Sequence, residues 1–204
     1  SKKKLDEFVR DEFYKPLGMN YTCYQPKKNL KNAEIAPSEF DDYFRHQVVQ
    51  GNVHDMGAAM FGGVSGHAGL FSTATDLGTL MQMLLNGGSY EGKRYLQKST
   101  VELFTSKYSM ISRRGLGFDK PDPNADKSSP CANNVSLKGF GHQGFTGTCI
   151  WADPNNDLVF VFLSNRTYPS AENKAINKNG GVREIAQSFI YKSLGIPSRY
   201  AKGK

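Results

Sequence analysis

The chain has 204 residues, the length of one domain or of part of a larger one, and a compact chain of that length buries about 70% of its unfolded surface. With 38% apolar residues, 22% charged residues and 21 glycines it falls in the globular range, outside the disordered, collagen-like and disulfide-scaffold classes. The net charge is +7, with ten Lys and Arg against five Asp and Glu in residues 126–204. Those cations are dispersed (Lys174, Lys178, Arg183, Lys192, Arg199, Lys202, Lys204), which describes a solvated surface and not a nucleic-acid site. The longest apolar run, Leu158–Leu163, is far short of the roughly 20 residues that span a bilayer. No secretory hydrophobic region follows Ser1-Lys2-Lys3-Lys4, and a chain that starts at Ser reads as trimmed from a longer one. Cys23, Cys131 and Cys149 are odd in number and lack CxxC spacing, so they form neither a zinc site nor a complete disulfide framework, and one bridge stays open.

Leu5, Phe8, Val9 and Phe13 stand at helical spacing, and Pro16 and Gly18 stop that helix. Residues 20–60 have no firm period, and the signals Gln25-Pro26-Lys27-Lys28 and Ala36-Pro37-Ser38 predict a long surface connection. A glycine-dense stretch from Phe61 to Leu70 then implies tight turns or close backbone approach. Thr73 can cap a helix with Asp76 in its first turn. Leu77, Leu80, Met81, Leu84 and Leu85 give that helix one apolar face, and Gly87-Gly88 end it. A shorter helix is expected from Ser99, with Glu102 completing a capping box and Val101, Leu103 or Phe104 packing. Residues 119–138 read as a long aperiodic loop, functional or mobile.

Phe145–Trp151 and Leu158–Ser164 are β-rich runs joined by Asp153-Pro154-Asn155-Asn156-Asp157, a hairpin signal. Val182, Ile185, Ala186, Phe189, Ile190 and Leu194 then mark an amphipathic helix ended by Gly195 and Pro197. This order predicts an α/β (α+β) chain, an antiparallel sheet with packed helices and not a βαβ array. The 140–164 hairpin should pack on the 182–194 helix through residues such as Phe189 and Ile190, with the 75–86 helix in a neighbouring helical cluster.

The sharpest motif is Gly141-His142-Gln143-Gly144-Phe145-Thr146-Gly147, an imidazole beside backbone with little side-chain cover. Such a strand suits an oxyanion or an extended substrate meeting backbone N–H groups; a glycine-lightened strand packed on a helix is the structural alternative. His54-Asp55 and His67 could serve as metal ligands or as a base with its orienter, but no ligand spacing such as HExxH appears. Backbone hydrogen bonding that fixes the glycine-rich loop explains them better. The residues imply no metal and no cofactor.

Pro16-Leu17-Gly18-Met19, Val53-His54-Asp55, the run Gly62 to Ala74, Asp76-Leu77 and Gly141 to Gly147 resemble, in family order, the C-terminal half of serine β-lactamase-like hydrolases. That family includes class C β-lactamases, D,D-peptidases and related esterases, and the likeness runs from about residue 5 to residue 194. The wording of the glycine-rich segments is further similar to the module fused to family 3 glycoside hydrolases. The resemblance implies a serine β-lactamase-like fold whose N-terminal part lies outside the chain, with 1–204 as a single incomplete domain. It implies three chemical elements: a Ser-x-x-Lys nucleophile, a Tyr-x-Asn or Ser-x-Asn proton-transfer loop, and a Lys-Thr-Gly or His-x-Gly strand.

Only the third element maps here. His142, Gly144 and Phe145 take the substrate and oxyanion strand, with the Phe145 N–H as oxyanion donor, and Gln143 and Thr146 take substrate-binding positions. The sole Ser-x-x-Lys is the charged terminus Ser1–Lys4, and neither Tyr-x-Asn nor Ser-x-Asn occurs. The implied function is therefore part of a serine hydrolase of amide or ester bonds, outside the cytoplasm, with a small-molecule or peptidoglycan-like substrate and no nucleophile in 1–204. The alternative is a non-catalytic cell-wall or partner-binding module on the same fold. An incomplete sheet would leave an exposed edge open to homodimerisation or strand exchange.

Overall fold

In a computed structural model, which describes residues 1–28 and 35–200, the chain divides into two compact units. The first holds residues 1–79, 145–148 and 163–175; the second holds 80–144, 149–162 and 176–204.

In the first unit the expected opening helix forms as α1 (Leu5–Val9), continued by a π turn over Arg10–Tyr14. The stretch expected to be a surface connection builds structure instead. β1 (Cys23–Tyr24) leads to the antiparallel pair β2 (Glu39–Asp41) and β3 (Gln47–Val49), and then to the short helix α2 (Met56–Met60). β4 (Leu70–Phe71) returns to pair antiparallel with β1. The period was invisible because polar side chains organise this region. Asp41, almost wholly buried, accepts from the Tyr43 and Phe44 amides. Burial alone would raise its carboxyl; those amides and Arg45 outweigh burial and hold it below the ordinary carboxylate range.

α3 (Ala74–Leu85) begins where Thr73 predicts: the Asp76 amide donates to Thr73 Oγ1 at 3.3 Å. The Asp76 carboxylate itself is taken by the Tyr21 amide and the Thr22 hydroxyl, both at 2.8 Å. Residues 80–85 of α3 fall in the second unit.

There the short antiparallel pair β5 (Ser89–Tyr90) and β6 (Lys93–Arg94) precedes α4 (Lys98–Thr105). α4 starts one residue before Ser99, its N-cap Gln97 makes no side-chain cap bond, and the expected capping box does not form. Val101 and Thr105 are buried, while Leu103 and Phe104 stay exposed. The long 119–138 loop is pinned: Cys131, Ala132 and Val135 enter the core, and Asp119 exchanges backbone bonds with Gly141. The buried Lys120 ammonium donates to Thr105 O at 2.8 Å and Gly139 O at 3.0 Å; burial lowers its pKa.

The sheet of this unit is β7 (Phe140–Gln143), β8 (Cys149–Asp153) and β9 (Leu158–Phe162), antiparallel in that order. The β-rich run from Phe145 thus becomes strand only at Cys149, and β7 adds a strand ahead of it. Trp151 pairs with Gly141 and Phe160, Ala152 with Phe140 and Val159. A side chain at Gly141 would collide with Ile150 O and the Trp151 ring, so that position has to be glycine.

Alternation splits the sheet's residues between two clusters. Cys149, Trp151 and Phe160 gather with Val135 and with Tyr191 of α5 (Val182–Ser193). Phe140 and Ala152 gather with Met81, flanked by Leu84 and Leu85 of α3. Residues 80–85 of α3 therefore pack against the sheet itself and not in a neighbouring helical cluster. Among the described residues no disulfide joins the cysteines, and burial pushes the Cys131 and Cys149 thiols up to about 12.

α5 packs on the hairpin, as expected, but by another stripe. Arg183, Gln187 and Tyr191 are buried; Phe189 is 67% exposed, Leu194 57% and Val182 45%. Of the expected apolar face only Ala186 packs on the core; Val182, Ile185, Phe189, Ile190 and Leu194 look outward. The reason is visible at Tyr191, whose hydroxyl donates to Asp153 Oδ2 at 3.0 Å. Asp153, fully buried, also accepts from the Ser136 amide and hydroxyl, the Asn155 amide and Asn156 Nδ2. A polar anchor beneath the helix selects a polar stripe to meet it.

Removing this acceptor leaves several buried donors unpaired. Asp153→Ala is expected to cost about 3 kcal/mol and Tyr191→Phe about 1 kcal/mol. Urea unfolding followed by tryptophan fluorescence at Trp151 measures both; equal, small losses would show that Asp153 is not the organising acceptor.

Candidate substrate and oxyanion strand

His142, Gln143 and Gly144 lie in the second unit, Phe145 and Thr146 in the first. Within β7, Gly141 bonds outward to Asp119, so its main chain faces away from β8. By alternation Gln143 also turns its main chain to that outer edge. His142 is exposed, with Nδ1 2.8 Å from Gln143 O. Gln143 Nε2 donates to Pro130 O at 2.6 Å and to Glu184 Oε1 at 2.7 Å, which ties the strand end to the first turn of α5. Any substrate contact from this side chain is left to its oxygen.

Phe145–Thr148 form the turn after the strand. Its carbonyls are captured in succession: Phe145 O by Arg166 Nε at 2.8 Å, Thr146 O by the Arg166 amide at 2.9 Å, and Gly147 O by Ser164 Oγ at 2.9 Å. Gly147 sits at φ +105°, which only glycine adopts without strain. The Phe145 ring, 65% exposed, has the Arg166 guanidinium 4.5 Å from its centroid and the His54 ring at 5.5 Å. His54 Nε2 lies 2.9 Å from Oε2 of the buried Glu39, whose Oε1 accepts from the Ala171 amide.

The other two histidine candidates separate. Asp55 caps α2, accepting from the Ala58 amide at 2.7 Å, and its Oδ1 lies 3.1 Å from His67 Nε2. His67 Nδ1 in turn meets Ser65 Oγ at 2.8 Å. His54 points to Glu39 instead, so adjacency of His54 and Asp55 does not make a pair. Asp55 and His67 hold the glycine-rich loop through Ser65, by side-chain bonds where backbone bonds were expected, and His54 takes no part in it. Among the described residues no three His, Cys, Asp or Glu side chains gather to hold a metal ion. Sequence reasoning missed Arg166 and Glu39; the Asn165-Arg166 dipeptide closing a hydrophobic strand was the available signal.

The sequence profile of the beta-lactamase family matches residues 1–181. The chain belongs to the beta-lactamase family. A Salmonella typhi protein that carries the name of a D-alanyl-D-alanine carboxypeptidase is 36% identical over 199 residues, covering 92% of this chain and 46% of that protein. This chain thus spans about half the length of the curated relatives it matches. A penicillin-binding protein homologue from Caulobacter crescentus superimposes with a TM-score of 0.53 at 21% identity, over 80% of this chain and 47% of that one. A β-lactamase from Mycobacterium bovis gives 0.54 at 16% identity, over 92% and 56%. The mixed helix and antiparallel-sheet architecture is the serine β-lactamase-like fold. Among the described residues no helix is long and apolar enough to cross a membrane.

The Ala58 amide first, and then His67, hold the Asp55 carboxyl below its ordinary value. A carboxyl depressed in the native state stabilises it fully above the unfolded pKa and loses that contribution as pH falls through the native value. Asp55→Ala is expected to cost about 1 kcal/mol at neutral pH and progressively less in acid. Denaturation of both proteins across the acid range checks this; a pH-independent difference would remove the charge from the explanation.

Proposed function

We propose that residues 1–204 supply the substrate and oxyanion strand of a serine hydrolase acting on amide or ester bonds. The observation that carries this reading is the His142-Gln143-Gly144 sequence on the outer edge of β7 in a beta-lactamase family chain. Phe145 follows β7 at the start of the turn, and its N–H is the oxyanion donor that the resemblance to the family implies. That N–H donates to the developing oxyanion. Gly144 lets an extended substrate lie close to the strand, His142 stands beside the reacting carbonyl, and Gln143 and Thr146 contact the flanking substrate groups.

Ser1–Lys4, the sole Ser-x-x-Lys, are exposed and precede the first helix, so nucleophile and activating amine come from polypeptide outside 1–204. The relatives named as D-alanyl-D-alanine carboxypeptidases favour a peptidoglycan-like substrate and an extracytoplasmic site of action. On this reading 1–204 is one incomplete domain, and the isolated chain does no covalent chemistry. Incubation with a chromogenic β-lactam and a fluorophosphonate, read by intact mass, should give neither turnover nor adduct. An adduct on one specific serine of 1–204, with turnover, would overturn the assignment.

Two features of the second unit support self-association of the isolated chain: the edge position of β9 and the outward apolar stripe Val182, Ile185, Phe189 and Leu194. Sedimentation should show a dimer that Phe189→Lys weakens at least about tenfold, the loss typical of an anchoring aromatic. A stable monomer at high concentration would count decisively against it.

A further inference from the structure

The proposed oxyanion donor sits at the start of a turn, and turns are mobile unless something holds them. In the first unit the segment 164–166 takes three successive carbonyls, those of Phe145, Thr146 and Gly147. Arg166 supplies two of the three donors and lays its guanidinium on the Phe145 ring. Its other arm is itself anchored: Nη1 donates to Ala171 O at 3.0 Å and Asn173 O at 2.7 Å. The 165–171 segment is fixed to β2 through Thr167 Oγ1 on Ser38 O, the Phe40 amide on Pro169 O, and the Ala171 amide on Glu39. Glu39 also holds His54, which meets the Phe145 ring.

We infer that Arg166 is a positioning residue: by clamping the Phe145 and Thr146 carbonyls and the Phe145 ring against the β2-anchored 165–173 segment, it restricts the orientations open to the Phe145 amide. The geometry explains why arginine and not lysine stands there. The planar fork reaches Phe145 O with one nitrogen and two further carbonyls with another while stacking on an aromatic ring, and an ammonium cannot do all of these. The Phe145 carbonyl shares a rigid peptide plane with the Thr146 N–H, while the Phe145 N–H belongs to the plane before it. With the carbonyl and the ring of Phe145 both held, its nitrogen is placed at the tetrahedral Cα and only rotation about φ is left to turn the N–H. The clamp thereby reduces the motions by which the Phe145 N–H could swing away from a reacting carbonyl to that single rotation. The hydrogen bonds stand by themselves; their bearing on rate rests on the hydrolase reading.

Two measurements separate the clamp from that reading. Arg166→Met and Arg166→Lys remove the side-chain bond to Phe145 O and keep the main-chain bond to Thr146 O and the Ser164 bond to Gly147 O. In the ¹⁵N-labelled chain 1–204 the Phe145 and Thr146 amides should therefore fall from order parameters of about 0.85 to below about 0.6, with β8 and β9 unchanged. Ser164→Ala, which frees only Gly147 O, should loosen the Thr148 amide that shares its peptide plane and leave Phe145 and Thr146 ordered, and it tests carbonyl capture if the arginine variants do not fold. Order parameters that stay at the wild-type value in a folded Arg166 variant overturn the clamp. In the protein that carries the nucleophile, Arg166→Lys should lower kcat for a D-alanyl-D-alanine ester at least about tenfold with KM changed less than about twofold, the pattern of a transition-state donor out of place. An unchanged kcat overturns the positioning role. A wild-type protein with no hydrolysis overturns the hydrolase reading, and the order parameters then decide the clamp alone.

Discussion

Asp153 is the acceptor on which the second unit converges. One buried carboxylate at the end of β8 receives the hairpin turn through Asn155 and Asn156, the 119–138 loop through Ser136, and α5 through Tyr191. Each of these partners would otherwise need its own hydrogen-bond solution in a dry environment, where an unpaired donor costs about 1–3 kcal/mol. Sharing one acceptor makes turn, loop and helix interdependent. Burial and the neighbouring carboxylate raise the Tyr191 phenol pKa, which favours the protonated form that donates to Asp153.

The same anchor explains where sequence reading succeeded and where it failed. The order of elements was legible because apolar periodicity and turn residues are local: the α3 face, the Asp153–Asp157 turn and the Gly195 stop each sit within a few residues of the element they define. The face of α5 was not legible. Val182, Ile185, Phe189 and Ile190 announce a helix and an apolar side, but Asp153, 38 residues before Tyr191, decides which side meets the sheet. Residues 20–60 failed for a related reason. Their organising groups, Glu39, Asp41 and Asp76, are polar and are satisfied by partners that no period reveals.

Of the candidate strand, the His142-Gln143-Gly144 motif could be read from sequence, together with the family to which it belongs. The arrangement that holds its continuation could not. Arg166 resembles any cation after a strand, and only the fold shows its side chain and main chain turned to the carbonyls of residues 145 and 146. Glu39 and His54 are 15 residues apart and read as unrelated polar residues until the Phe145 ring is seen beside His54.

Two kinds of order therefore meet at Gly144. Before it, β7 is fixed by sheet register and by Gln143, whose amide nitrogen is committed to Pro130 and Glu184. After it, the turn is fixed by carbonyl capture from 164–166, with no regular secondary structure. A backbone donor aimed at a reacting carbonyl has to be rigid before substrate arrives, since reorientation during the reaction would spend the stabilisation it provides. Both supports reside wholly in 1–204. On the proposed reading, strand and turn are each held in advance by contacts of their own unit.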